Sequence, residues 1–348
     1  MRSVLRAAIA ALLVAVAAVG VPVSSRGADG PRVVCRFSDP RLVEISGITW
    51  SRTHPGVYWV HNDSGRGPYL YAVDGRTCKT LARIRVANIG ARDLEAIATG
   101  TDPRGQAVLW LGDIGDNRDS WPSVRLHAIA EPTRLVDQQV LATTYRFTYG
   151  DMPHNAEGLI AAPDRADVWV VTKQLAAGSV WKVPLSKASV TRATVVGDVV
   201  GITTDAAMSR SGTRFVVRDY LKAYLYDGPV SAATLKRPTE VVLPFELQGE
   251  AITWAPDDAA LLVAGERETA LWWVPLTASS SSPTASPSPT PESPSASASP
   301  STSSASASSS PSADPGEGGS SGVPIAAVVG VALLAGAVGL VVALRRER

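Results

Sequence analysis

Acidic residues recur at one position of a short phrase that the chain repeats. Each copy consists of a polar residue, a small–aliphatic pair, a turn, an aliphatic or aromatic run and a second polar group. In three copies the residue directly before the small–aliphatic pair is a glutamate: Glu95, Glu157 and Glu250. Carboxylates clustered at low dielectric constant repel one another, which raises their pKa values or attracts a cation. The pattern therefore predicts a cation site or acid–base chemistry, and its structural alternative is pairing with backbone N–H groups or arginines.

The polar residues that follow the aliphatic run of each copy form a second candidate set. In the second copy the turn DIGDN resembles a short calcium-binding loop, since Ca²⁺ prefers oxygen ligands from Asp, Asn and Glu. The predicted metal ligands are Glu95, Glu157, Glu250, Asp113, Asp116 and Asn117. The other members, with one histidine from the loop before the third copy, are predicted ligand-binding residues: His61, Asn62, Asp63, His154, Lys173, Arg218, Asp219 and Glu266.

The repeat itself predicts the fold that must position these residues. The small–aliphatic pairs begin at Gly47, Ala96, Gly158, Ala207 and Ala251, at spacings of 49, 62, 49 and 44 residues. Four short strands repeated every 40–50 residues or so are typical of a β-propeller. We therefore expect an all-β propeller of five four-stranded blades. Six blades is the alternative, because the interval of 62 residues has room for an extra strand pair.

The last copy is one strand short, which predicts how the ring closes. It offers strands at 251–254, 260–264 and 271–275, and a further strand-like run at 32–37 precedes the first copy. Joining strands from both ends in one blade leaves no open sheet edge at the seam. That arrangement brings Cys35 and Cys78 to neighbouring blades, and two cysteines in an exported chain predict a disulfide.

Alternation of strand direction predicts that the candidate residues share one face. Inner strands begin, and second strands end, on the same side of the disc, and the inner strands converge on a central channel. Glu44 and Asp93 lie two residues before the repeated position, on the same side of the strand. Because Ser46 and Ala206 replace the acid in two blades, we expect an off-axis site near the second and third blades.

Composition at the two ends predicts export and a membrane anchor. Arginines, an apolar run and small residues indicate a signal peptide at 1–28, with an uncleaved anchor as the alternative. The propeller is predicted at 31–277, a disordered Ser/Pro/Ala-rich stalk at 278–322, a transmembrane helix at 324–344 and a cytoplasmic tail at 345–348. The sequence thus predicts a single-pass membrane protein whose propeller lies outside the cytoplasm.

Several function classes are disfavoured by composition. Residues 28–277 carry a formal charge of −1, so they have no basic excess for nucleic acid. HExxH, CxxC and GxxxxGK[ST] motifs are absent from the sequence, and its one GxSxG match, at 318–322, lies in the predicted stalk, outside the predicted propeller. The chain has only 4 histidines. An enzyme that uses a protein nucleophile is therefore disfavoured.

The motifs VYWVHNDSG, LEAIA, LWLGDIGDNR, AEGL, VVRDY and QGEAI resemble those of exported, membrane-anchored bacterial β-propeller proteins of actinobacterial type. These are distantly similar to TolB-like and phytase-like propellers. In phytase-like propellers, acids around the channel hold Ca²⁺ that binds the substrate phosphate. The resemblance implies that role for Glu95, Glu157, Glu250, Asp113 and Asp116.

Two functions follow as predictions. The first is a cell-surface binding or interaction module, tethered to the membrane by a flexible stalk, with an extracellular ligand or protein as its partner and Ca²⁺ at the channel mouth. The alternative is a Ca²⁺-dependent phytase-like or esterase-like hydrolase that uses a metal-activated water. Tethering favours the first, and the acidic mouth favours the second.

Overall fold

The computed structural model describes residues 30–63, 67–175 and 177–276, which form five β-sheets. The predicted signal peptide, stalk, transmembrane helix and cytoplasmic tail lie outside these residues. Within the described ranges, no helix has both the length and the apolar character needed to cross a membrane. The all-β prediction is confirmed for this part of the chain.

Each sheet contains the four strands of one blade, in order from the centre outward. The first blade consists of β2 (Ile45–Trp50), β3 (Val57–Asn62), β4 (Tyr69–Asp74) and β5 (Thr80–Val86). The second consists of β6 (Leu94–Thr101), β7 (Ala107–Asp113), β8 (Val124–Ala130) and β10 (Ala142–Thr148). The third consists of β11 (Ala156–Ala161), β12 (Val168–Thr172), β13 (Ala177–Lys182) and β15 (Thr194–Val200).

The fourth blade consists of β16 (Asp205–Met208), β17 (Arg214–Arg218), β18 (Lys222–Asp227) and β19 (Thr239–Val242). A single helical turn, α1 (Ala232–Leu235), capped by the Ser231 side chain, precedes β19. The fifth blade consists of β20 (Gly249–Trp254), β21 (Ala260–Gly265), β22 (Ala270–Pro275) and β1 (Arg32–Arg36). The inner strands contact one another in the cyclic order β2, β6, β11, β16, β20 and β2 again. The prediction of five blades is confirmed.

The seam closes as the sequence predicts. β1 pairs antiparallel with β22, so the fifth blade takes its outer strand from the start of the described chain. Cys35 in β1 forms a disulfide with Cys78, which lies in the turn before β5 of the first blade, with a Cα–Cα distance of 5.6 Å. Strand pairing and a covalent bond therefore both hold the seam.

Two short strands that the repeat does not predict extend the first and second blades. β9 (Gln138–Val140) pairs parallel with β5, and β14 (Thr191–Arg192) pairs parallel with β10. Each belongs to the chain of the following blade and reaches back to the outer edge of the preceding one. The long second interval of the repeat contains β9, so its extra residues join two blades and do not build a sixth.

The hydrophobic core is divided into layers between neighbouring blades. Five buried clusters are present, and each draws its residues from two adjacent blades. Trp59, Trp110 and Trp254 are among the largest fully buried side chains, and each lies in a different layer. Burial of this apolar surface stabilises the ring only when every blade has both neighbours.

Glu131 joins the first two blades on the face opposite the starts of the inner strands. It is 8% exposed, and it accepts hydrogen bonds from Trp59 Nε1 at 2.8 Å and from Thr53 Oγ1 at 3.0 Å. The backbone N–H groups of Arg52 and Thr53 also donate to it, each at 3.2 Å. This residue is the Glu of the Glu-Pro pair after β8, and its role is structural.

We expect loss of the Cys35–Cys78 disulfide to lower the free energy of unfolding by about 3–4 kcal/mol, because the bond closes a long loop in the unfolded chain. The measurement is urea unfolding of the protein with and without a phosphine reductant. The double variant Cys35→Ala/Cys78→Ala is the control and should not respond to the reductant. Equal stability of the oxidised and reduced protein would show that strand pairing alone holds the seam.

Candidate functional site

A β-bulge lies at the repeated acidic position in four of the five blades. The register between the inner and second strands shifts between residues 45 and 47, 94 and 96, 156 and 158, and 249 and 251. The extra residues are Ser46, Glu95, Glu157 and Glu250. A bulge redirects the side chain of its extra residue, and bulges are frequent next to functional sites. The bulges lie where the inner strands begin, and we call this side of the disc the mouth face.

Three carboxylates come together where the first two blades meet on the mouth face. One oxygen each from Asp63, Asp93 and Glu95 lies within 4.8 Å of the other two. Asp63 follows β3, Asp93 precedes β6, and Glu95 is the bulge residue of β6. Among the predicted residues the structure thus joins Asp63, a predicted ligand-binding residue, to Glu95, a predicted metal ligand. We call these three residues the carboxylate triad.

Glu95 is the most deeply placed member of the triad. Its side chain is 3% exposed, and its Oε1 atom is buried and makes no hydrogen bond within the described residues. Burial raises the pKa of Glu95 well above its usual value, and the charges of Glu157, Asp63 and Asp93 raise it further. A buried acceptor without a donor costs free energy, so this atom calls for a proton or a cation.

Gly115 allows the loop after β7 to cover the triad closely. A Cβ atom at this position would stand 2.4 Å from Asp93 Oδ2 and 2.5 Å from Glu95 Oε1. Any larger residue would therefore displace the two carboxylates. The glycine of the DIGDN turn is needed for this close approach, whereas the aspartates of the turn are bonded elsewhere.

Lys173 neutralises a different part of the mouth. Its Nζ atom donates to Glu157 Oε2 at 2.6 Å and to Tyr220 Oη at 2.8 Å. Burial lowers the pKa of Lys173, but Glu157, Glu250 and Tyr220 outweigh this effect and hold it well above the usual value. The lysine is therefore charged, and Glu157 is half of an ion pair.

Glu250 and Glu266 extend the acidic mouth into the fifth blade. Burial raises the pKa of Glu250 to about 8; Lys173 opposes the shift, while Glu157 and Glu266 add to it. Glu266 follows β21 and is 8% exposed. These two acids lie on the side of the mouth that Lys173 serves.

The fourth blade has no bulge, and Asp205, which lies one residue before the repeated position held there by Ala206, has a structural role. Asp205 pairs with Arg218 in regular register, and its carboxylate accepts from Ile252 N at 2.8 Å and Ala206 N at 2.7 Å. Burial raises the pKa of Asp205 well above its usual value, although these two hydrogen bonds lower it in part. The carboxylate thus connects the inner strands β16 and β20 and does not face the triad.

The aspartates of the DIGDN turn make hydrogen bonds and ion pairs with nearby residues of the second blade. Asp113 Oδ1 accepts from the N–H groups of Arg92 and Asp93, and its Oδ2 lies 3.3 Å from the guanidinium of Arg125. Burial raises the pKa of Asp113, but contacts with His127 and the two N–H groups outweigh it and lower the pKa. The structure places this predicted metal ligand in an ion-pair network.

Asp116 and Asn117 organise the loop that covers the triad. Asp116 Oδ2 accepts from Ser120 N at 2.7 Å and Trp121 N at 2.6 Å, which closes the loop on itself. Asn117 Nδ2 donates to Asp93 Oδ2 at 3.3 Å. Of these two predicted metal ligands, the structure brings Asn117 to the edge of the triad and directs Asp116 into the loop.

Arg218 is completely buried and fastens the fourth blade to the fifth. Its guanidinium donates to the carbonyl oxygens of Ala251, at 2.7 Å, and Ala264, at 3.1 Å, and forms an ion pair with Glu246. Its side chain is 0% exposed, so the structure gives this predicted ligand-binding residue a structural role. Nothing in the repeat marks Glu246, its partner, because Glu246 lies in the loop between two copies.

The remaining predicted ligand-binding residues hold turns and strand ends. Asn62 donates to Arg41 O at 2.7 Å, and Asp219 Oδ1 accepts from the N–H groups of Leu221 and Lys222. His154 lies between Tyr149 and Trp181 and bonds Asp151 at 2.9 Å, near the outer edge of the blade. The structure does not bring these three residues to the triad.

His61 is buried between the first two inner strands. Its Nε2 atom lies 2.5 Å from the Cβ position that Gly47 lacks, and makes no hydrogen bond within the described residues. Burial lowers the pKa of His61 to about 4. A neutral imidazole in this position packs against the backbone of β2.

Asp93 and Tyr220 are mouth residues that the sequence did not select. Asp93 was marked only by its place two residues before Glu95, which is a strand-period signal. Tyr220 follows β17, and its sequence position carries no signal apart from its charged neighbours Arg218 and Asp219. No family model matches the chain, and no curated protein matches it. The site is the acidic mouth of a five-bladed β-propeller.

Replacing Arg218 with Met should lower the free energy of unfolding by about 3–5 kcal/mol, because Glu246 would stay buried without its partner. The double variant Arg218→Met/Glu246→Met should recover most of this loss, since it removes both charges. Urea unfolding of the three proteins makes the comparison. Equal losses in the single and double variants would contradict the role assigned to the ion pair.

The folded protein should lose stability as the pH rises from about 5 to 8 in the presence of a chelator. Glu250 keeps its proton to a pKa of about 8 when folded, against 4.5 for the ordinary group, so the folded state binds more protons in this window. Glu250→Gln should flatten the pH profile of the unfolding free energy. Glu240→Gln, at an exposed site, is the matched control; an unchanged slope in Glu250→Gln would refute the assignment.

Proposed function

We propose that the protein is a binding module that holds Ca²⁺ at the carboxylate triad on its mouth face. The observation that carries the proposal is Glu95, whose Oε1 atom is buried without a hydrogen bond among the described residues and adjoins two further carboxylates. A five-bladed propeller is consistent with binding, because its blades are arranged around a central channel.

The charge distribution supports a cation at the triad. Lys173 donates hydrogen bonds to Glu157 and Tyr220, so its positive charge compensates Glu157 on the side of the third and fourth blades. Three carboxylates within 4.8 Å repel one another strongly in a buried setting. A cation bound there would offset both the repulsion and the desolvation of Glu95.

The spacing and chemistry of the oxygens favour Ca²⁺. Ligands of Ca²⁺ lie at about 2.3–2.6 Å, so two of them are at most about 5 Å apart across the ion. The triad oxygens fall within that span, at 4.8 Å or less. At the edge of the group, Asn117 Nδ2 donates to Asp93 Oδ2 at 3.3 Å, while its amide oxygen accepts from Asn155 Nδ2 at 3.3 Å, so Asn117 orients Asp93 and the three carboxylates supply the ligand oxygens.

The cellular setting is part of the proposal and rests on the sequence. The signal peptide at 1–28 and the transmembrane helix at 324–344 would present the propeller outside the cell on the stalk at 278–322. Millimolar extracellular Ca²⁺ would then suffice for a site of moderate affinity. Recognition of an extracellular ligand or protein at the mouth face is the function that follows.

Saturating Ca²⁺ should raise the melting temperature by about 5–10 °C, because binding to the folded state adds about 2–3 kcal/mol at a hundredfold excess over Kd. The shift should shrink as the pH falls, since protons compete with Ca²⁺ for Glu95, whose pKa is raised by burial and by the neighbouring carboxylates. Differential scanning fluorimetry with Ca²⁺ and with a chelator makes the measurement.

Three variants sharpen this test. Glu95→Gln should abolish the shift, whereas Asp164→Asn, an exposed acid on the opposite face, should keep it. Asp116→Asn should lower the melting temperature by weakening the loop but retain the response to Ca²⁺. If the wild-type protein melts at one temperature with Ca²⁺ and with the chelator, the triad is not a calcium site.

A further inference from the structure

A cleft of about 490 Å³ opens on the mouth face, at the outer half of the second blade. It lies between the start of β8 and the end of β10, and we call it the second-blade cleft. Val124, Phe147 and Tyr149 are the buried residues that line it, whereas Trp121 and Met152 are 41% and 57% exposed. Its volume falls within the range of small-molecule sites, about 300–1,000 Å³.

Trp121 is held in this cleft as a fixed aromatic platform. Its backbone N–H donates to Asp116 Oδ2 at 2.6 Å, and the guanidinium of Arg92 lies 4.2 Å from the centre of its ring. Arg92 is itself fixed, because it donates to Ser123 O at 2.9 Å and lies 3.8 Å from Asp113 Oδ2. Arg92 therefore covers one face of the indole, and the remaining surface is in place before a ligand binds, which lowers the entropy cost of binding.

Two charged side chains of opposite sign line the same cleft. The Asp151 side chain is 56% exposed, and His154 orients it through a contact of 2.9 Å between Nε2 and Oδ1. Arg192, from β14, is exposed and donates to Gly150 O. The other lining residues are uncharged. The second-blade cleft therefore offers a positioned acceptor and a positioned donor, with no net charge on its lining.

These features together select the chemistry of the occupant. A lining without net charge favours neither an anion nor a cation. A wholly apolar ligand would desolvate Asp151 and Arg192 without replacing their hydrogen bonds to water. An uncharged sugar ring meets both conditions. Its C–H groups form an apolar face that can stack on an indole, and its hydroxyl groups both donate and accept hydrogen bonds.

A proline-rich segment is the main alternative, because the sequence at 278–322 is rich in proline and polyproline helices bind in grooves lined by aromatic residues. Of the three aromatic residues that line the second-blade cleft, only Trp121 is exposed, since Phe147 and Tyr149 are buried. A single aromatic platform flanked by hydrogen-bonding groups suits one ring better than an extended helix.

We propose that the second-blade cleft binds a neutral oligosaccharide, with one sugar ring stacked on Trp121 and its hydroxyl groups bonded to Asp151 and Arg192. This inference deepens the proposed binding function by giving its extracellular ligand a chemistry, and it rests on that function only in this respect. The cleft uses no residue of the carboxylate triad, so the calcium site and the sugar site can be tested separately.

The test is a glycan array probed with the labelled full-length protein, in Ca²⁺ and separately in chelator. The array carries neutral oligosaccharides of glucose, galactose, mannose and N-acetylglucosamine, together with sulfated and uronate-containing ones. We expect binding to a subset of the neutral glycans under both conditions. The neutral oligosaccharide that binds best is then titrated into the protein by isothermal titration calorimetry, which gives its Kd.

Trp121→Ala should raise this Kd at least about 10-fold, because an aromatic anchor carries much of the energy of such a contact. Trp121→Phe should recover part of the affinity, since it restores an aromatic ring. Asp151→Asn should raise the Kd about 3- to 10-fold, because a charged acceptor forms stronger hydrogen bonds than a neutral amide. Melting curves establish that each variant is folded.

Two controls lie outside the cleft. Phe245→Ala removes an aromatic side chain that is 78% exposed in the loop before β20, and it should leave the Kd unchanged. Glu95→Gln should also leave it unchanged, because Glu95 belongs to the triad. Sugar binding that persists in chelator supports the cleft even where the calcium site fails.

Four results would overturn the proposal. The first two are an array without a bound neutral glycan and one on which only charged glycans are bound. The third is a Kd that Trp121→Ala leaves unchanged. The fourth is binding of a synthetic peptide of residues 283–294, in place of any glycan, that Trp121→Ala abolishes.

Discussion

Closure of the ring is the constraint on which the other features depend. The apolar surface of each blade is buried in two layers, one against each neighbour, so a missing blade would expose two layers at once. The pairing of β1 with β22 supplies the last contact, and the Cys35–Cys78 disulfide ties it to the first blade. Because the closed ring orients all five inner strands alike, their first residues meet at one mouth. The candidate site is a geometric consequence of this closure.

The bulges convert that meeting point into a chemical site. In a regular strand the residue before the small–aliphatic pair would alternate with its neighbours, and its side chain would enter a layer between blades. In the bulge this residue is not paired with the second strand, so the side chains of Glu95, Glu157 and Glu250 can turn toward the mouth. The inner strand of the fourth blade has no bulge, and the Asp205 carboxylate accepts a hydrogen bond from the backbone of β20. Acids at the starts of the inner strands thus have different roles, according to the local register.

Electrostatics divides the mouth into unequal parts. Lys173 sits between Glu157 and Tyr220, and its charge opposes the upward shift of the Glu250 pKa. The triad of Asp63, Asp93 and Glu95 is farther from this lysine, whose effect on the pKa of Glu95 is smaller than those of the neighbouring carboxylates. Lys173 therefore offsets part of the carboxylate charge on its own side of the mouth, and it has much less effect at Glu95 of the triad. This asymmetry lies near the first two blades, whereas the sequence pattern predicted the second and third.

The sequence by itself determined the fold of the described residues: strand-like runs at a regular interval, a closing strand at 32–37 and two cysteines are local or additive signals. It also marked Glu95, Glu157 and Glu250, because an acid before a buried strand stands out in a repeat. Only the tertiary structure decided which acids face one another. The sequence pattern marks Asp113, Asp116 and Arg218 in the same way. Their side chains nevertheless bond to partners that the repeat does not identify, such as Glu246 for Arg218. Hydrogen-bond partners and burial depend on how the blades meet in space, and no spacing along one strand encodes them.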